Sequence, residues 1–340
     1  MYKFFVRPFL FLFFPETAHS ITFFLLKLIM ALPGGALLIR MVAGSRNTND
    51  PVLCFGLNFK NPVGLAAGLD KNAECIDAFD ALGFGFIEIG TVTPRPQPGN
   101  PKPRLFRLVN DSALINRMGF NNDGVEIIAK RLARRRSAII VGANIGKNKD
   151  TLHEKAADDY LICFNRLFDH VDFFTLNVSS PNTPGLRALQ EKEPLSNLLA
   201  LITKANASKA IPKPILLKIA PDLTSAQVEE IVDLVIQHGL HGMVVSNTTV
   251  SRTGLSSDAA IIESIGNGGL SGKPVLSRSN ELLAEIVHLA KGRFSVIASG
   301  GIFSAGDALR KKNLGAPLVE LYTGFIYEGT ALVSSIVRSW

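Results

Sequence analysis

The sequence has few cysteines, and none of them lies in a pattern that binds a metal or forms a disulfide framework. Its three cysteines, Cys54, Cys75 and Cys163, form neither a CxxC pair nor any other metal-ligand spacing. We therefore expect free thiols, a reducing compartment and no metal site. The sequence also lacks the G-x-G-x-x-G and G-x-x-x-x-G-K-[ST] motifs, which argues against NAD and ATP as ligands.

Long apolar runs are also missing, although the first 30 residues are rich in aromatic side chains. Residues 1–30 contain eight of the 22 phenylalanines. A helix that spans a bilayer needs about 20 mostly apolar residues, and charged residues, proline or glycine interrupt every candidate run. These interruptions are Arg7, Pro15, Glu16, Lys27 and residues 33–35. We therefore do not expect this segment to span a membrane.

An amphipathic arrangement fits the segment better. We predict two short helices, at 3–14 and 17–31, that are separated by Pro15 and lie on the bilayer. Lys3, Arg7 and Lys27 would then face anionic lipid headgroups, and a lipid-soluble substrate would enter between the helices. The alternative is that the aromatic side chains pack on the rest of the protein as a cap.

The composition of the same segment bears on location. It lacks the small-residue cleavage site of a secretory signal, and it is rich in phenylalanine where mitochondrial targeting segments are rich in arginine and serine. We therefore expect a peripheral membrane protein at the cytoplasmic face of a bacterial inner membrane.

The net charge of +7 does not indicate a nucleic-acid partner. The most basic segment, KRLARRR at residues 130–136, contains no interleaved aromatic residue. We interpret it as the solvated face of a helix, and we expect no binding to nucleic acid.

From residue 51 onward, short β-prone segments alternate with helical segments. This alternation is typical of parallel strands joined by crossover helices. We predict the α/β class and a (β/α)8 TIM barrel over residues 51–340, behind a helical extension over 1–45 with a linker to about residue 50. The linker itself is expected at 36–50, and a hairpin at 52–60 is expected to plug the bottom of the barrel. The eight barrel strands are predicted at 63–67, 86–90, 139–145, 173–178, 215–219, 242–246, 295–299 and 318–322.

The predicted strands end in polar or glycine-rich sequence. A single Asn or Thr at such a position is more often a helix cap or a turn residue. Eight such ends in one register instead favour a ligand site, because barrel enzymes bind ligands at the carboxyl ends of the strands. The residues concerned are Asp70, Lys71, Thr91, Asn144, Asn177, Lys218, 246–248, 300–301 and 322–324.

The type of ligand follows from the lysines and glycines at these ends. A sheltered ammonium is costly unless it is paired, so we expect Lys71 and Lys218 to pair with a ligand. The glycine-rich turns at 299–302 and 322–324 expose backbone N–H groups where barrel enzymes often bind phosphate, and residues 268–272 would add a third wall. Without a dinucleotide motif, a mononucleotide such as FMN is favoured.

Seven segments at these positions resemble the class 2 dihydroorotate dehydrogenase family, and the resemblance covers nearly the whole chain. The segments are AAGLDK at 66–71, EIGTVTPRPQPG at 88–99, NRMGFNN at 116–122, NVSSPNTPG at 177–185, KIAPD at 218–222, SNTT at 246–249 and GGLSG at 268–272. The resemblance implies one FMN per chain and oxidation of (S)-dihydroorotate to orotate in pyrimidine (UMP) synthesis. It also implies reoxidation by a membrane quinone and no obligatory protein partner.

The same resemblance assigns contacts by position. The implied FMN contacts are Ala67, Gly68, Leu69, Asp70, Lys71, Thr91, Asn144, Asn177, Lys218, Ser246, Gly269, Gly301, Tyr322 and Thr323. The implied substrate contacts are Lys71, Asn116, Arg117, Met118, Gly119, Phe120, Asn177, Asn182, Asn247 and Thr248. Several amides and one cation suit a ring with two carbonyls, N–H groups and a carboxylate.

The resemblance makes Ser180 the general base. Without it, a loop serine before a proline would be interpreted as a turn residue. A free serine is a weak base, so a relay through Thr183 and closure of the loop at 181–190 are expected. Serine at this position and the N-terminal extension both indicate class 2, since the soluble class 1 enzymes use cysteine and lack the extension. His19 and Arg107 are the candidate quinone contacts.

Two other functions remain open at this point. One is a different FMN-dependent barrel reductase, which would share the phosphate site but act on another unsaturated ring. The other is a catalytically silent barrel that binds a phosphorylated ligand at a membrane. The asparagine-rich site argues against the first, and the presence of Lys71, Ser180 and Lys218 together argues against the second.

Overall fold

Eight parallel strands close into a barrel in the computed structural model, which describes residues 2–44 and 51–340. The strands are β1 Val52–Cys54, β2 Leu57–Phe59, β3 Val63–Leu65, β4 Phe86–Val92, β5 Leu105–Leu108, β6 Ala113–Asn116, β7 Ile140–Ile145, β8 Phe173–Asn177, β9 Ile215–Lys218, β10 Gly242–Val245, β11 Gly269–Gly272, β12 Ser295–Ser299 and β13 Leu318–Leu321. The barrel runs β3, β4, β7, β8, β9, β10, β12 and β13, and β13 pairs with β3. All eight predicted barrel strands are therefore confirmed.

Helices surround the barrel and follow most of its strands. They are α1 Arg7–Phe11, α2 Pro15–Ala31, α3 Gly35–Ala43, α4 Ile76–Ala81, α5 Val125–Leu132, α6 Ala156–Leu167, α7 Lys192–Ala207, α8 Ser225–Gln237, α9 Ala259–Ile265, α10 Leu276–Ala290, α11 Ala305–Asn313, α12 Thr323–Glu328 and α13 Thr330–Ser339. Shorter 3-10 helices lie at His153–Lys155, Phe168–His170, Leu186–Gln190 and Lys273–Val275. The main core lies between the outer face of the barrel and these helices.

The predicted hairpin plug is confirmed at the amino-terminal end of the barrel. β1 and β2 pair antiparallel, and the fully buried Phe59 packs edge-on against Phe86, with ring centroids 5.2 Å apart. Residue 64 must be glycine because a Cβ there would lie 2.1 Å from the Phe86 ring. The bottom of the barrel is thus a packed core, which leaves the opposite end for ligands.

Two insertions build a wall above the carboxyl ends of the strands. Unequal strand spacing predicts insertions after the second and sixth barrel strands, and the structure places β5 and β6 in the first and β11 in the second. β11 pairs antiparallel with β6, so the two insertions form one three-stranded sheet. The sequence did not predict this pairing, since the two strands lie more than 150 residues apart and carry no shared signal.

The N-terminal extension is helical, as predicted, but its boundaries differ. The first helical segment consists of a π-helix at Tyr2–Val6 followed by α1, and Pro15 begins α2 as its first residue. Proline suits that position because its missing N–H would have no partner there. Within the described residues, no helix is both long and apolar enough to cross a bilayer.

The predicted linker at 36–50 is wrong over its first part. Residues Gly35–Ala43 form α3, which starts after Gly34 in a left-handed conformation (φ 78°). The helix is stabilised by packing, because Ile39 and Ala43 are buried against the barrel. The prediction at 45–50 lies outside the described residues. The basic segment at 130–136 is only partly helical, since α5 ends at Leu132.

Candidate active site

A cavity lies at the carboxyl ends of the barrel strands, and its volume is about 1020 Å³ when its open mouth is included. Eighteen of the predicted contact residues line it, namely Ala67, Gly68, Lys71, Thr91, Asn116, Met118, Gly119, Phe120, Asn177, Ser180, Asn182, Lys218, Ser246, Asn247, Thr248, Gly301, Tyr322 and Thr323. The polar ends of the barrel strands therefore meet at one site, as predicted.

One end of the cavity is lined by glycine backbone. Gly300 and Gly301 adopt positive φ angles of 103° and 77°, and a Cβ at Gly301 would lie 2.4 Å from the Cα of Leu276. A Cβ at Gly324 would lie 1.9 Å from the Ile302 carbonyl oxygen. Only glycine fits at these two positions, and backbone N–H groups beside the cavity would suit a phosphate group.

Lys218 is held by two buried carboxylates, which corrects the expectation that its partner is a ligand. Its Nζ lies 3.4 Å from Glu88 Oε1 and 3.3 Å from Glu320 Oε2, and both glutamates are almost fully buried. Burial lowers the pKa of Lys218, but the two carboxylates outweigh it and raise that pKa overall. Both distances are long, so the ammonium can still donate a hydrogen bond into the cavity that it lines.

The two glutamates cannot both be charged at low cost. They share one cation and are almost fully buried, and two like charges that close to each other disfavour double ionisation. Burial and the neighbouring Glu88 carboxylate raise the pKa of Glu320 well above its ordinary value. Glu320 is therefore protonated more readily than a carboxyl group in water. The sequence analysis missed both residues, although a carboxylate within an apolar strand is itself a signal that a buried partner exists.

A network of amides continues from Glu88 to the cavity wall. Asn144 Nδ2 donates to Glu88 Oε1 at 2.7 Å, and Asn144 Oδ1 accepts from Thr91 at 2.5 Å and from Asn177 at 3.0 Å. Asn144 does not line the cavity but lies one layer behind it. Its hydrogen bonds fix the orientation of Thr91 and Asn177, which do line the cavity.

Lys71 provides the second cation of the cavity. Its Nζ donates to Asn121 Oδ1 at 2.5 Å, and Asn121 was not among the predicted contacts. Burial, with a smaller contribution from the nearby Arg104 guanidinium, lowers the pKa of Lys71 to about 7. An anion beside it would favour the charged form, so pairing of Lys71 with a ligand remains a prediction.

Ser180 lies in the cavity wall, in the loop between β8 and α7. It is 6 % exposed, and its Oγ accepts a hydrogen bond from the Asn182 backbone N–H at 3.2 Å. Asn182 in turn donates through Nδ2 to Asn116 Oδ1 at 3.0 Å. The Thr183 hydroxyl is buried and makes no hydrogen bond within the described part of the chain.

Arg187 links the Ser180 loop to the loops that follow two neighbouring barrel strands. Its guanidinium donates to the Ser179 carbonyl at 3.2 Å, to the Thr248 carbonyl at 3.3 Å and to Asp222 at 3.0 Å. The loop that carries Ser180 is therefore tied to the ends of two other barrel strands. Neither Arg187 nor Asp222 was singled out from the sequence.

Comparisons with known proteins agree with this geometry. The sequence profile of the family described as "Dihydroorotate dehydrogenase" matches residues 51–339. A protein named dihydroorotate dehydrogenase (quinone) from Christiangramia forsetii is 51% identical over 99% of this chain and 97% of its own length. One of the same name from Shewanella baltica is 47% identical over 96% of this chain and 95% of its own. The chain belongs to the dihydroorotate dehydrogenase family.

Solved structures of the dihydroorotate dehydrogenase family share the fold. The enzyme from Eimeria tenella in complex with ferulenol superimposes with a TM-score of 0.84 at 36% identity, over 96% of this chain and 90% of that one. The ligand-free form gives a TM-score of 0.82 at 35% identity. The chain is thus an oxidoreductase of the dihydroorotate dehydrogenase family, on a (β/α)8 barrel with an N-terminal helical extension.

Four other contacts predicted from the dihydroorotate dehydrogenase motifs do not line the cavity. They are Leu69, Asp70, Arg117 and Gly269. Asp70 is fully buried and accepts hydrogen bonds from the Glu74 and Cys75 backbone N–H groups at 2.8 Å, which makes it a structural anchor of its loop. Arg117 lies over the Phe106 ring and donates to the Ile265 and Pro103 carbonyls. Their contact with a ligand remains a prediction.

His19 and Arg107, the two candidate quinone contacts, both join the extension to the barrel. His19 Nε2 lies 2.8 Å from the Leu69 carbonyl, and its ring stacks on Phe23. Burial lowers the pKa of His19, so its ring is neutral and donates to that carbonyl. Arg107 donates to the Phe13 carbonyl at 2.6 Å, and its guanidinium lies over the Phe11 ring.

Proposed function

We propose that this protein oxidises (S)-dihydroorotate to orotate with one FMN bound in the mouth of its barrel and passes the electrons to a membrane quinone. Dihydroorotate oxidation with a quinone acceptor is the activity for which the relatives are named. The observation that carries the proposal is one cavity with a glycine end suited to phosphate and an asparagine-rich end that holds Ser180. In this proposal residues 51–340 form the catalytic domain and residues 1–45 the membrane and quinone-access extension.

The residues of the cavity fit FMN. Backbone amides at Gly301 and Thr323 would hold the phosphate, while Thr91, Asn177 and Lys218 would contact the flavin ring. Bound FMN supplies the acceptor for a hydride. Glu88 stabilises the charged form of Lys218 whether or not a ligand is present. The flavin ring would therefore contact a positively charged ammonium group.

Substrate recognition rests on four asparagines. Asn116, Asn177, Asn182 and Asn247 line the cavity, and each offers one donor and one acceptor group. This suits a ring that presents carbonyl oxygens and N–H groups along its edges. An analogue that lacks one polar edge would leave buried amides unpaired, so the site would discriminate strongly. Lys71 would pair with the carboxylate.

Ser180 would act as the base. Its Oγ would take the C5 proton of dihydroorotate, and loss of a hydride from C6, for which bound FMN would be the acceptor, would leave the C5–C6 double bond of orotate. A serine needs a path for that proton, and the Thr183 hydroxyl in the same loop could accept and donate one, since it is buried with no hydrogen bond among the described residues. Closure of the loop at 181–190, tied by Arg187, would exclude bulk water during the transfer.

The extension would place the protein on a membrane as a peripheral protein, at the cytoplasmic face of a bacterial inner membrane. Phe4, Phe5, Phe9 and Phe14 are all exposed, and so are several apolar side chains of α3. Aromatic and apolar side chains at this density are costly in water and favour a lipid interface. His19 and Arg107 lie where α1 and α2 meet the barrel, so quinone would approach the flavin between these helices.

The triple change Phe4→Ser, Phe5→Ser and Phe14→Ser tests the membrane role. We expect binding to vesicles of anionic phospholipid to weaken by roughly 100-fold, because each inserted phenylalanine contributes about 1 kcal/mol or more. Vesicle co-sedimentation measures this. The matched control replaces Leu53, Leu152 and Ile211, which are equally exposed on the barrel, by serine. Equal vesicle binding by both triple variants would contradict the assigned surface.

The experiment that tests the proposed function is anaerobic titration of the purified protein with dihydroorotate. We expect a flavin absorbance spectrum that dihydroorotate bleaches and that an added quinone restores. A colourless protein, or a flavin that dihydroorotate does not reduce, would refute the proposal.

A further inference from the structure

A lysine is buried behind the glycine end of the cavity. Lys311 lies on α11 with no exposed surface, and its Nζ donates to Ser279 Oγ at 2.9 Å and to Asn280 Oδ1 at 3.0 Å. Both acceptors are neutral. Across residues 2–44 and 51–340, no carboxylate lies within ion-pair distance of this ammonium.

Ser279 connects this lysine to the turn after β12. Its Oγ lies 3.1 Å from the Gly300 carbonyl oxygen and 3.0 Å from the Leu276 carbonyl oxygen, and it can donate its hydrogen to either. A Cβ built on Gly300 would lie 3.2 Å from the Ser279 Cβ, so serine and turn are packed directly together. In a trans peptide the carbonyl and the following N–H point in opposite directions. A hydrogen bond that holds the Gly300 carbonyl toward Ser279 therefore directs the Gly301 N–H toward the cavity that Gly301 lines.

The glycine end otherwise has little positive charge. Among the described residues that line the cavity, the cations are Lys71 and Lys218, which lie after β3 and at the end of β9. Around Gly300, Gly301 and Gly324 the lining side chains are neutral, namely Ser271, Val275, Ile302 and Thr323. A phosphate dianion bound there would meet backbone amides in front and the Lys311 ammonium behind them.

We propose that Lys311 is a positioning residue for the phosphate of the cofactor. It acts through Ser279 to fix the Gly300–Gly301 peptide with its N–H toward the phosphate, and it adds a positive charge behind that turn. The inference rests on the proposed function, because it requires a phosphorylated flavin in the cavity.

The energetics of a buried cation support this role. Burial lowers the pKa of Lys311 to about 7, and Asp307 on the same helix partly opposes the shift. A charged ammonium in such a place is costly unless an anion lies near it. A bound phosphate would favour the charged form, since its charge acts over a short distance through protein with little screening.

Comparison of FMN with riboflavin, which lacks the phosphate, separates this role from general support of the fold. We expect Lys311→Met to weaken FMN binding by about tenfold or more and riboflavin binding by less than about twofold. Both affinities are measured by flavin fluorescence quenching with the full-length protein after removal of its flavin. The rate of FMN release from the purified holoenzyme gives a second readout, and we expect it to rise.

Two further variants keep the test decisive if Lys311→Met folds poorly. Lys311→Gln retains a donor to Ser279 but removes the charge, and Ser279→Ala removes the connection but retains the charge. We expect both to weaken FMN more than riboflavin. Lys147→Met is the matched control, because Lys147 is also buried but donates to the Asn148 and Thr151 carbonyls away from the cavity.

The outcomes are distinct. Equal loss of FMN and riboflavin affinity in the Lys311 variants, or no loss of either, would overturn the role of Lys311 while leaving the proposed function intact. Wild-type protein that binds no FMN would overturn the proposed function and this inference with it.

Discussion

Ser180→Ala is expected to slow reduction of the flavin by dihydroorotate by about 10²–10⁴-fold, the range over which a positioned general base contributes. Ser180 lines the cavity and is almost fully buried, so bulk water cannot easily replace it as proton acceptor. Its Oγ is already held in place by the Asn182 N–H. Alanine removes the acceptor without changing the wall around it. Stopped-flow absorbance of the bound flavin measures this step alone.

The control for this variant is binding of the product orotate, followed through the flavin spectrum. We expect an affinity close to wild type, because four asparagines and Lys71 make the polar contacts in this account. Ser180→Cys should fall between wild type and Ser180→Ala, since a thiolate can also accept the proton. A reduction rate in Ser180→Ala equal to wild type would remove Ser180 from the proton step.

Lys218→Met is expected to yield protein with little bound FMN and a free energy of unfolding lower by about 3–5 kcal/mol, the usual cost of removing one partner of a buried ion pair. Without the ammonium, Glu88 and Glu320 remain almost fully buried with no cation between them. A charged carboxylate would then lack a cationic partner. Denaturant unfolding and the flavin-to-protein absorbance ratio measure the two effects.

Glu320→Gln is the matched variant, and we expect it to retain FMN and to be at least as stable as wild type at neutral pH. Burial and the Glu88 carboxylate raise the pKa of Glu320, and glutamine has nearly the same shape as a protonated glutamate. A raised folded-state pKa means that the stabilising effect is fully present below the unfolded-state pKa and is lost as the pH rises from there through the folded-state value. Wild type should therefore lose stability as the pH rises above the ordinary range of a carboxyl group, and the variant, which has no carboxyl group at this position, should lose less. Loss of FMN from Glu320→Gln as large as that from Lys218→Met would contradict this charge assignment.

Much of the barrel could be predicted because its strands are buried on both faces and bounded by turns. A short apolar run such as 215–219 is best interpreted as a buried parallel strand when it alternates with helical segments. The hairpin plug followed from its position before the first barrel strand. The cavity wall also followed in large part, because strand ends in a parallel barrel must meet at the same edge.

The remaining features depend on contacts between distant parts of the chain. Pairing of β11 with β6, and the tie from Arg187 to Asp222, join segments that carry no shared pattern. Lys311 occurs in the sequence RKK and resembles a solvated helix end, yet it is fully buried. Helix α3 was missed because the Gly34–Gly35 break suggested a loop, whereas packing of Ile39 on the barrel stabilises a helix.

The choice of electron acceptor tests the central claim most directly. Dihydroorotate oxidation by the purified full-length protein should be measured in parallel with a short-chain ubiquinone, fumarate and NAD. We expect turnover with the quinone that exceeds turnover with either soluble acceptor by at least about tenfold. Activity with fumarate or NAD and none with quinone would contradict the account, because the account assigns quinone access to the extension and quinone contact to His19 and Arg107.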